Sequence, residues 1–343
     1  MPSMHKHLYW LFVILPLFAE AQDPQFSQYY ANPLYLNPAL TGNIASARAG
    51  VSYRRQWPAI DANFDTYTVY YDQYLPDVNS AVGLLLMHDR QGVAGLNSTS
   101  AHANYVYQMP LSNGLTVRPG ISLGVFQRAV NTDNLKWGDQ FDGSGFSGIT
   151  SEELSNYDPV YQFDLSLGGL VYTPFWWAGA SWSHINEPAY TFIDQPSDLA
   201  KLPYKISVHG GYRIALPADE IRVGLDKFGR ERSITPTFEF KYQNAFRQLS
   251  LGGYLTWEPL VVGLWYRGIP IGSNEVKNRS ESAILMIGLL RSRYSIGYSF
   301  DYTLSSLRIA TGGAHEVTFA YQFKMGNPKK PPYNKRQVPC PDF

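Results

Sequence analysis

Histidine and carboxylate side chains are the groups in this 343-residue chain that offer the chemistry of catalysis or metal binding. The histidines after residue 21 are scattered singly, at His88, His102, His184, His209 and His315. None has the His-Glu-x-x-His spacing of a catalytic zinc site. His184 with Glu187, and Asp301 with His315, fall near one predicted rim, but their spacing assembles no Ser-His-Asp arrangement. The sequence therefore predicts no enzyme, no metal site and no cofactor.

A glycine-rich stretch at 143–148, GSGFSG, matches the G-x-G-x-x-G pattern of dinucleotide sites. That pattern binds phosphate only where a strand leads into a helix, and no such context surrounds it here. Asp139 and Asp142, just before this stretch in the same predicted loop, offer carboxylates to calcium, although the spaced acidic series of a dedicated calcium loop is missing. We interpret the stretch as a solvated loop.

The segments that carry these side chains are predicted to be strands, each with one apolar face and one small or polar face. Along 294–302, Tyr294, Ile296 and Tyr298 alternate with Ser295 and Gly297. A period of two places the two sets on opposite faces. The pattern recurs along the chain, and the chain begins with an export signal. Together they favour an all-β, transmembrane, antiparallel outer-membrane β-barrel with its apolar face toward lipid.

The export signal is an apolar run at 8–18 followed by Ala19, Glu20 and Ala21, an A-x-A cleavage site. The run is shorter than the about 20 residues of a membrane span, so we expect residues 1–21 to be removed by cleavage. The residue directly after this site is Gln22 rather than cysteine, which excludes a lipoprotein. Cys340 is the one cysteine in the sequence, which excludes an internal disulfide.

The composition agrees with a membrane barrel. Lys plus Arg equals Asp plus Glu at 28 each, so the chain lacks the positive field that nucleic-acid binding needs. Aromatic residues make up 15% and charged residues only 16%. An excess of Tyr and Trp suits rims that lie at lipid headgroups. Membrane lipid is therefore one predicted partner, and no nucleic acid is expected.

Fourteen strands are predicted within a barrel spanning 47–323, an even number, as in single-chain bacterial barrels. They fall at 47–55, 65–72, 80–88, 98–109, 115–126, 160–172, 175–184, 204–215, 234–242, 247–257, 260–267, 281–290, 294–302 and 315–323. The long polar connections 131–159, 185–203 and 268–280 alternate with short ones, as outer loops alternate with periplasmic turns. The charged stretch 217–232 breaks this rule: it is a strand extension, a docking element or a sign of a miscounted pair.

Two terminal segments flank the predicted barrel. Residues 22–46 are dense in Tyr, Asn and Pro, too aromatic for a solvated linker, and we expect them in the lumen or at its periplasmic mouth. They form either a structural plug or a strip that recognises a partner. Residues 324–343 form a basic, Pro-rich tail, which is either disordered or contacts a periplasmic partner.

A family resemblance rests on both ends of the chain. The stretch PQFSQYYANPLYLNPALTG, the YRRQW that follows, and the later YSIGYSFDYTLSSL and TGGAHEVTFAYQF resemble the PorP/SprF family of type IX secretion system membrane proteins. The resemblance covers nearly all of the mature chain up to Phe323. The family pattern falls on Pro24, Tyr29, Asn37, Pro38, Ala39, Gly42, Tyr53, Arg54, Trp57, Tyr298, Asp301, Tyr302, Gly313, His315 and Glu316.

The resemblance implies a non-enzymatic outer-membrane component of type IX secretion. Its partners would be secretion-machinery proteins of the periplasm and outer membrane, and cargo proteins with C-terminal sorting domains, in some members gliding adhesins. We take Pro24, Tyr29, Asn37, Pro38, Tyr53, Arg54, Trp57, Asp301, His315 and Glu316 as candidate contact residues. The alternative is a passive porin or hydrophobic-solute channel, because Gly168, Gly252 and Gly297 suit an open lumen as well as a packed plug.

Overall fold

The computed structural model describes residues 23–44, 46–61, 63–92, 95–111, 114–130, 158–189, 201–216, 231–268, 282–304, 311–323 and 338–339, and the backbone of 141–142 and 145–146. Fourteen long strands lie in this part of the chain. They are β1 Ala47–Gln56, β2 Phe64–Leu75, β3 Ser80–Gln91, β4 Leu96–Tyr107, β5 Thr116–Val130, β6 Val160–Tyr172, β7 Trp176–Ser183, β8 Lys205–Tyr212, β9 Arg232–Gln243, β10 Phe246–Trp257, β11 Leu260–Gly268, β12 Ser282–Leu290, β13 Tyr294–Thr303 and β14 Ala314–Phe323.

Each strand pairs antiparallel with its neighbours in sequence, and β1 closes the sheet by pairing with β14 from Ala47↔Phe323 to Gln56↔Ala314. The sheet is therefore a barrel without free edges. Because the strand number is even, both ends of the barrel chain lie at one rim. We name the rim that carries Ala47 and Phe323 the terminal rim, and the rim that carries Gln56 and Ala314 the distal rim.

The prediction of an antiparallel fourteen-strand barrel is confirmed, and every predicted strand is present. The largest difference is at β5, which runs to Val130 rather than ending at 126. Gln127 and Arg128 are polar, but the main-chain ladder to β4 continues as far as Leu96↔Val130 and holds the strand beyond its apolar part. Short pieces, Met109–Pro110 and Ile214–Ala215, add pairing to β5 and β9, and Phe141–Asp142 pairs with Gly145–Phe146.

The two faces of the wall differ as the alternation predicts. On β13, Tyr294, Ile296 and Tyr298 are 41–44% exposed, whereas Ser295 and Ser299 are at most 6% exposed. Along the other strands most outward side chains are apolar and most inward ones are small or polar, although large apolar side chains such as Tyr70, Trp177 and Trp265 also face inward. An apolar exterior around a polar interior is the arrangement of a barrel that stands in lipid.

The three connections predicted to be long, between β5 and β6, β7 and β8, and β11 and β12, all lie at the distal rim. A count wrong by a pair of strands is excluded, since the fourteen strands close. Of the stretch 217–232, residues 217–230 lie outside the described residues. The same holds for 1–22, for Asp139, for the GSGFSG stretch apart from two backbone positions, and for 324–337 and 340–343 of the tail. No helix in the described part of the chain is long and apolar enough to cross a membrane.

Residues 23–44, which we name the luminal segment, precede β1 and are coiled into short turns. Tyr29–Ala31 and Pro38–Leu40 form 3-10 turns, and Pro33–Leu36 forms a single helical turn, α1. Each of the last two begins with the proline of an Asn-Pro pair, which fits because proline lacks the N–H that the first position of a helix leaves unpaired. The Asn37 side chain accepts a hydrogen bond from the Ala39 N–H at 2.9 Å and caps the Pro38–Leu40 turn.

Candidate functional site

The luminal segment lies inside the barrel, against the inward faces of the strands. Phe26, Tyr29, Tyr30, Leu34 and Leu36 are at most 4% exposed. The segment enters near the distal rim, where Asp23 contacts Lys205 at the start of β8, and ends near the terminal rim, where Asn43 contacts Arg48 at the start of β1. The chain therefore crosses the lumen lengthwise before the first strand begins.

A buried ion cluster holds the first part of the luminal segment. Arg54 of β1 donates to Asp301 of β13 at 2.9 Å and to Glu316 of β14 at 3.3 Å, and Arg267 of β11 donates to Asp301 at 3.0 Å. Two cations and two carboxylates balance, and all four side chains are at most 5% exposed. Mutual pairing of this kind is what allows charged groups to be buried.

Ser27 of the luminal segment joins that cluster. Its N–H donates to Glu316 at 2.6 Å and its hydroxyl to Asp301 at 2.6 Å. Arg267 also donates to the carbonyl of Phe26 at 2.9 Å. The wall charges are thereby bonded to one another and to the segment, so that loss of the segment would leave charged groups unsatisfied.

Asparagine side chains hold the middle of the segment. The Asn37 amide donates to the carbonyls of Gly169 and Ala180, both at 3.1 Å. Asn32 accepts from the hydroxyls of Ser52 and Thr68, both at 2.8 Å. Each asparagine bridges neighbouring strands, which explains why an Asn-Pro pair rather than Pro alone opens each turn.

At the terminal rim, Arg48 donates to Asp72 at 2.9 Å and to the side chain of Asn43 at 2.7 Å. Asp72 also accepts the N–H of Gly42 at 2.7 Å. Gly42 has φ +59°, and a Cβ there would overlap Ala81, so this position requires glycine. The segment is therefore tied to the wall at both ends and in the middle.

Inward glycines make room for the segment. A Cβ at Gly168 would overlap the side-chain oxygen of Asn37, and one at Gly297 would overlap that of Gln28. Gly252 instead makes room for the ring of Trp265. Of the three glycines that suited either an open or a filled lumen, two therefore lie against the segment and the third against a luminal tryptophan.

A second charged group lies at the distal end of the segment. Both ring nitrogens of His184, just beyond β7, lie 2.9 Å from carboxylates, one of Asp164 and one of Asp23. Lys205 contacts Asp23 at 2.5 Å. Burial lowers the pKa of His184, but the two carboxylates outweigh it and raise the pKa to about 9. The imidazolium and Lys205 together fix Asp23 at this rim.

A residue of the tail also reaches the interior. Val338 is 3% exposed and belongs to the apolar cluster that contains Tyr29, Tyr254 and Trp265, with Leu290 packed against it. This cluster is the largest apolar one among the described residues.

The structure divides the ten candidate residues into two groups. Seven of them, Pro24, Tyr29, Asn37, Pro38, Arg54, Asp301 and Glu316, lie in the lumen, on the segment or bonded to it. The other three lie outside the lumen near the distal rim: Tyr53 stacks on Tyr67, Trp57 meets Phe64 edge to face, and His315 lies 2.8 Å from the Tyr298 hydroxyl. Asp301 and His315 therefore face opposite sides of the wall and form no pair.

Sequence reasoning missed Arg48, Asp72, Lys205 and Arg267, all of which bind the segment or its anchors. Each is a charged residue at an inward position of a strand, and that signal was present in the sequence. His184 bonds to two aspartates rather than to a nucleophile. In the part of the chain that the structure describes, no group of three His, Cys, Asp or Glu side chains is placed to hold a metal ion.

Comparison with solved structures finds other barrels. The toluene transporter TbuX of Ralstonia pickettii is 9% identical, with 85% of this chain and 93% of that chain covered and a TM-score of 0.48. The CymD monoaromatic hydrocarbon channel is 11% identical, covering 87% and 94%, with a TM-score of 0.49. CdiB from Acinetobacter baumannii is 8% identical, covering 82% and 60%, with a TM-score of 0.42. Similarity this low carries no functional argument.

No curated protein matches the chain. A family model described as type IX secretion system membrane protein PorP/SprF matches residues 18–321, which is most of the chain. The match spans the luminal segment and all but the last two residues of the barrel. The chain therefore belongs to the PorP/SprF family of type IX secretion system membrane proteins.

Proposed function

We propose that this protein acts in the outer membrane as a closed barrel that holds secreted cargo, through C-terminal sorting domains, for the type IX machinery. The observation that carries the proposal is the luminal segment, which is bonded to the wall from Asp23 to Asn43. A barrel filled in this way presents its rims and loops, rather than its lumen, as the working surfaces.

The rival function is a passive porin or hydrophobic-solute channel. A water-filled pore keeps its inward polar side chains solvated. Here the inward groups of several strands bond to the segment instead, as Arg54, Arg267 and Asp301 show. A channel function would require the segment to leave, which would break the buried charge contacts at Ser27 and Asp23.

The two rims of the barrel have different roles in this proposal. The terminal rim faces the periplasm, where it and the basic stretch of the tail before Val338 meet the secretion machinery. The long distal loops hold cargo at the cell surface. Gliding adhesins are one class of such cargo. Energy for transport comes from that machinery. Removal of residues 1–21 by cleavage is part of this proposal.

Deletion of the gene, followed by complementation with the wild-type chain, tests the proposal. The secreted proteome and the uptake rate of small solutes are compared between the two strains. We expect proteins with C-terminal sorting domains to be lost from the medium while uptake stays unchanged. Loss of uptake with a normal secreted proteome would instead establish the channel.

A disulfide that locks the segment provides a sharper test. Asn37→Cys with Gly168→Cys, in a Cys340→Ser background, joins the segment to β6 where the side chain and the wall already touch. We expect the oxidised variant to support secretion as well as its reduced form does. If oxidation blocks secretion and reduction restores it, the segment must move and the closed barrel is the wrong mechanism.

A further inference from the structure

A cavity lies between the luminal segment and the wall in the distal half of the barrel. The space open to the centre of a water molecule is about 70 Å³, and the atom-free space around it, open solvent included, is about 720 Å³. Its wall comes from β3 to β8, with Asp89, Ser100 and Asp164 among the polar side chains, and the segment contributes Asp23 and Tyr35. We name this cavity the vestibule. None of the contacts that anchor the segment near Ser27 belongs to it.

Three carboxylates line the vestibule, those of Asp23, Asp89 and Asp164, and they face the cations His184 and Lys205. A second imidazole, His102, has its Nδ1 3.9 Å from Asp164 and is a cation only when protonated. Asp23 and Asp164 are matched by two cations, His184 and Lys205, at 2.5–2.9 Å. Asp89 is a third carboxylate, 2% exposed, and it forms no ion pair with the described residues. Its oxygens accept hydrogen bonds from neutral groups, the hydroxyl of Thr66 at 2.6 Å and the amide of Gln91 at 2.7 Å. A buried carboxylate without a cation is costly, and a bound cation would remove that cost.

An unpartnered hydroxyl lies beside this carboxylate. Ser100 is 5% exposed, lines the vestibule and has no hydrogen-bond partner among the described residues. The register between β3 and β4 pairs Asp89 with Ser98 and Met87 with Ser100. Asp89 and Ser100 are therefore diagonal neighbours on the same inward face. Buried polar groups normally have a partner, so a free acceptor next to an uncompensated charge points to a ligand.

The rest of the lining suits the stem of a long cationic side chain. Leu85, Met87 and Phe126 of the wall and Tyr35 of the luminal segment give the vestibule an apolar side. Lysine and arginine bury their methylene stems against such surfaces while the charged end meets a polar group. The polar and apolar sides of the vestibule therefore match the two parts of one such ligand.

We propose that the vestibule binds a guanidinium or primary ammonium group, with Asp89 as its counter-ion, Ser100 as a second acceptor and the apolar side around the stem. The cation is carried either by an arginine or lysine of a peptide or by a free polyamine. The site goes beyond the role in secretion and does not depend on it. Binding to the purified protein can be tested without any cargo.

The test uses the full chain in detergent and isothermal titration calorimetry. The probe is acetyl-alanyl-arginyl-alanine amide, and its matched control carries citrulline, which keeps the shape of arginine without the charge. Agmatine serves as the free cation. The variants are Asp89→Asn and Ser100→Ala, with Asp61→Asn as a control because Asp61 is an exposed loop residue outside the vestibule. Heat-modifiable electrophoretic mobility verifies that each variant folds.

We expect the arginine peptide to bind at least about tenfold more tightly than the citrulline peptide, since a buried charge-assisted bond is worth a factor of this size. Asp89→Asn should weaken binding by a similar factor, Ser100→Ala by about threefold, and Asp61→Asn by less than twofold. Agmatine that binds as tightly as the peptide supports a free cation as the ligand, and weaker agmatine binding supports a peptide. Equal binding of the citrulline peptide, or binding unaffected by Asp89→Asn, would overturn the proposal.

Discussion

Replacement of Arg54 by methionine is the sharpest test of how the luminal segment is held. Methionine approximates the length of the arginine stem but carries no charge. The change removes the contacts of Arg54 with Asp301 at 2.9 Å and Glu316 at 3.3 Å, and its bond to the Ser27 hydroxyl. The cluster then holds one cation, Arg267, and two carboxylates, a net charge of −1 buried in the lumen near the distal rim.

The expected loss of stability depends on the contacts that Asp301 and Glu316 keep after the substitution. Removal of one partner from a buried ion pair lowers the free energy of unfolding by about 3–5 kcal/mol. Asp301 keeps Arg267 at 3.0 Å, and Glu316 keeps the backbone N–H groups of Ser27 at 2.6 Å and Gln28 at 3.1 Å. Because both carboxylates retain donors, we expect the lower end, a loss of about 3 kcal/mol in the free energy of unfolding.

Urea unfolding of the detergent-solubilised protein, followed by tryptophan fluorescence and by electrophoresis of unheated samples, measures this loss. Arg55→Met is the matched control, because Arg55 is the next residue, faces outward with a side chain 44% exposed and lies 3.8 Å from Asp65. Asp65 keeps the hydroxyl of Tyr53 at 2.8 Å after this change. Because the Arg55 side chain is exposed, we expect a loss of at most about 1 kcal/mol. Adding Glu316→Gln to Arg54→Met restores neutrality, so the double variant should be more stable than the sum of the two single losses predicts.

Two results would refute the reasoning. One is that Arg54→Met and Arg55→Met shift the unfolding midpoint equally, which would mean that the buried cluster contributes no more than a surface pair. The other is strict additivity of Arg54→Met and Glu316→Gln, which would mean that the two side chains are not coupled.

Three further predictions concern the wall, the distal rim and the tail. Gly168→Val should destabilise the barrel by about 1–3 kcal/mol, because its side chain would meet the luminal segment, whereas Gly169→Val, with open space around it, should be neutral in the same urea assay. The pKa of His184 is raised to about 9 in the folded protein, so its stabilising contribution should be complete below about pH 6.5 and lost as the pH rises through 9. The thermal unfolding midpoint should therefore fall between these two pH values. In the His184→Asn variant the midpoint should fall less over the same range. Val338→Asp would place a charge in the apolar cluster and should make the tail sensitive to added protease, while Val78→Asp, at a position 57% exposed, should not.

Each of these predictions has an opposing result. Equal effects of valine at the two adjacent glycines would show that the segment does not press on the wall. A thermal midpoint that rises between pH 6.5 and 9 would contradict the ion pairs of His184. Unchanged protease resistance after Val338→Asp would show that this residue does not anchor the tail.

Sequence alone determined the barrel and its strand count. The alternation in stretches such as 294–302 is local, because the side-chain period of a strand is two whatever lies next to it. Fourteen such stretches and the placement of the long connections were therefore readable without any tertiary information. The family signatures also identified Arg54, Asp301 and Glu316, although not what these residues contact.

Tertiary structure decided what fills the lumen. Ser27 and Glu316 are 289 positions apart, and Arg54 and Asp301 are 247 apart. They meet because barrel closure places β1 beside β14 and turns both inward faces toward one axis. An inward polar residue can face water, a plug or a ligand, and its own sequence context is the same in all three cases. Contacts across the lumen depend on closure, register and the path of residues 23–44 together, so the filled interior and the cation-deficient vestibule emerged only from the folded chain.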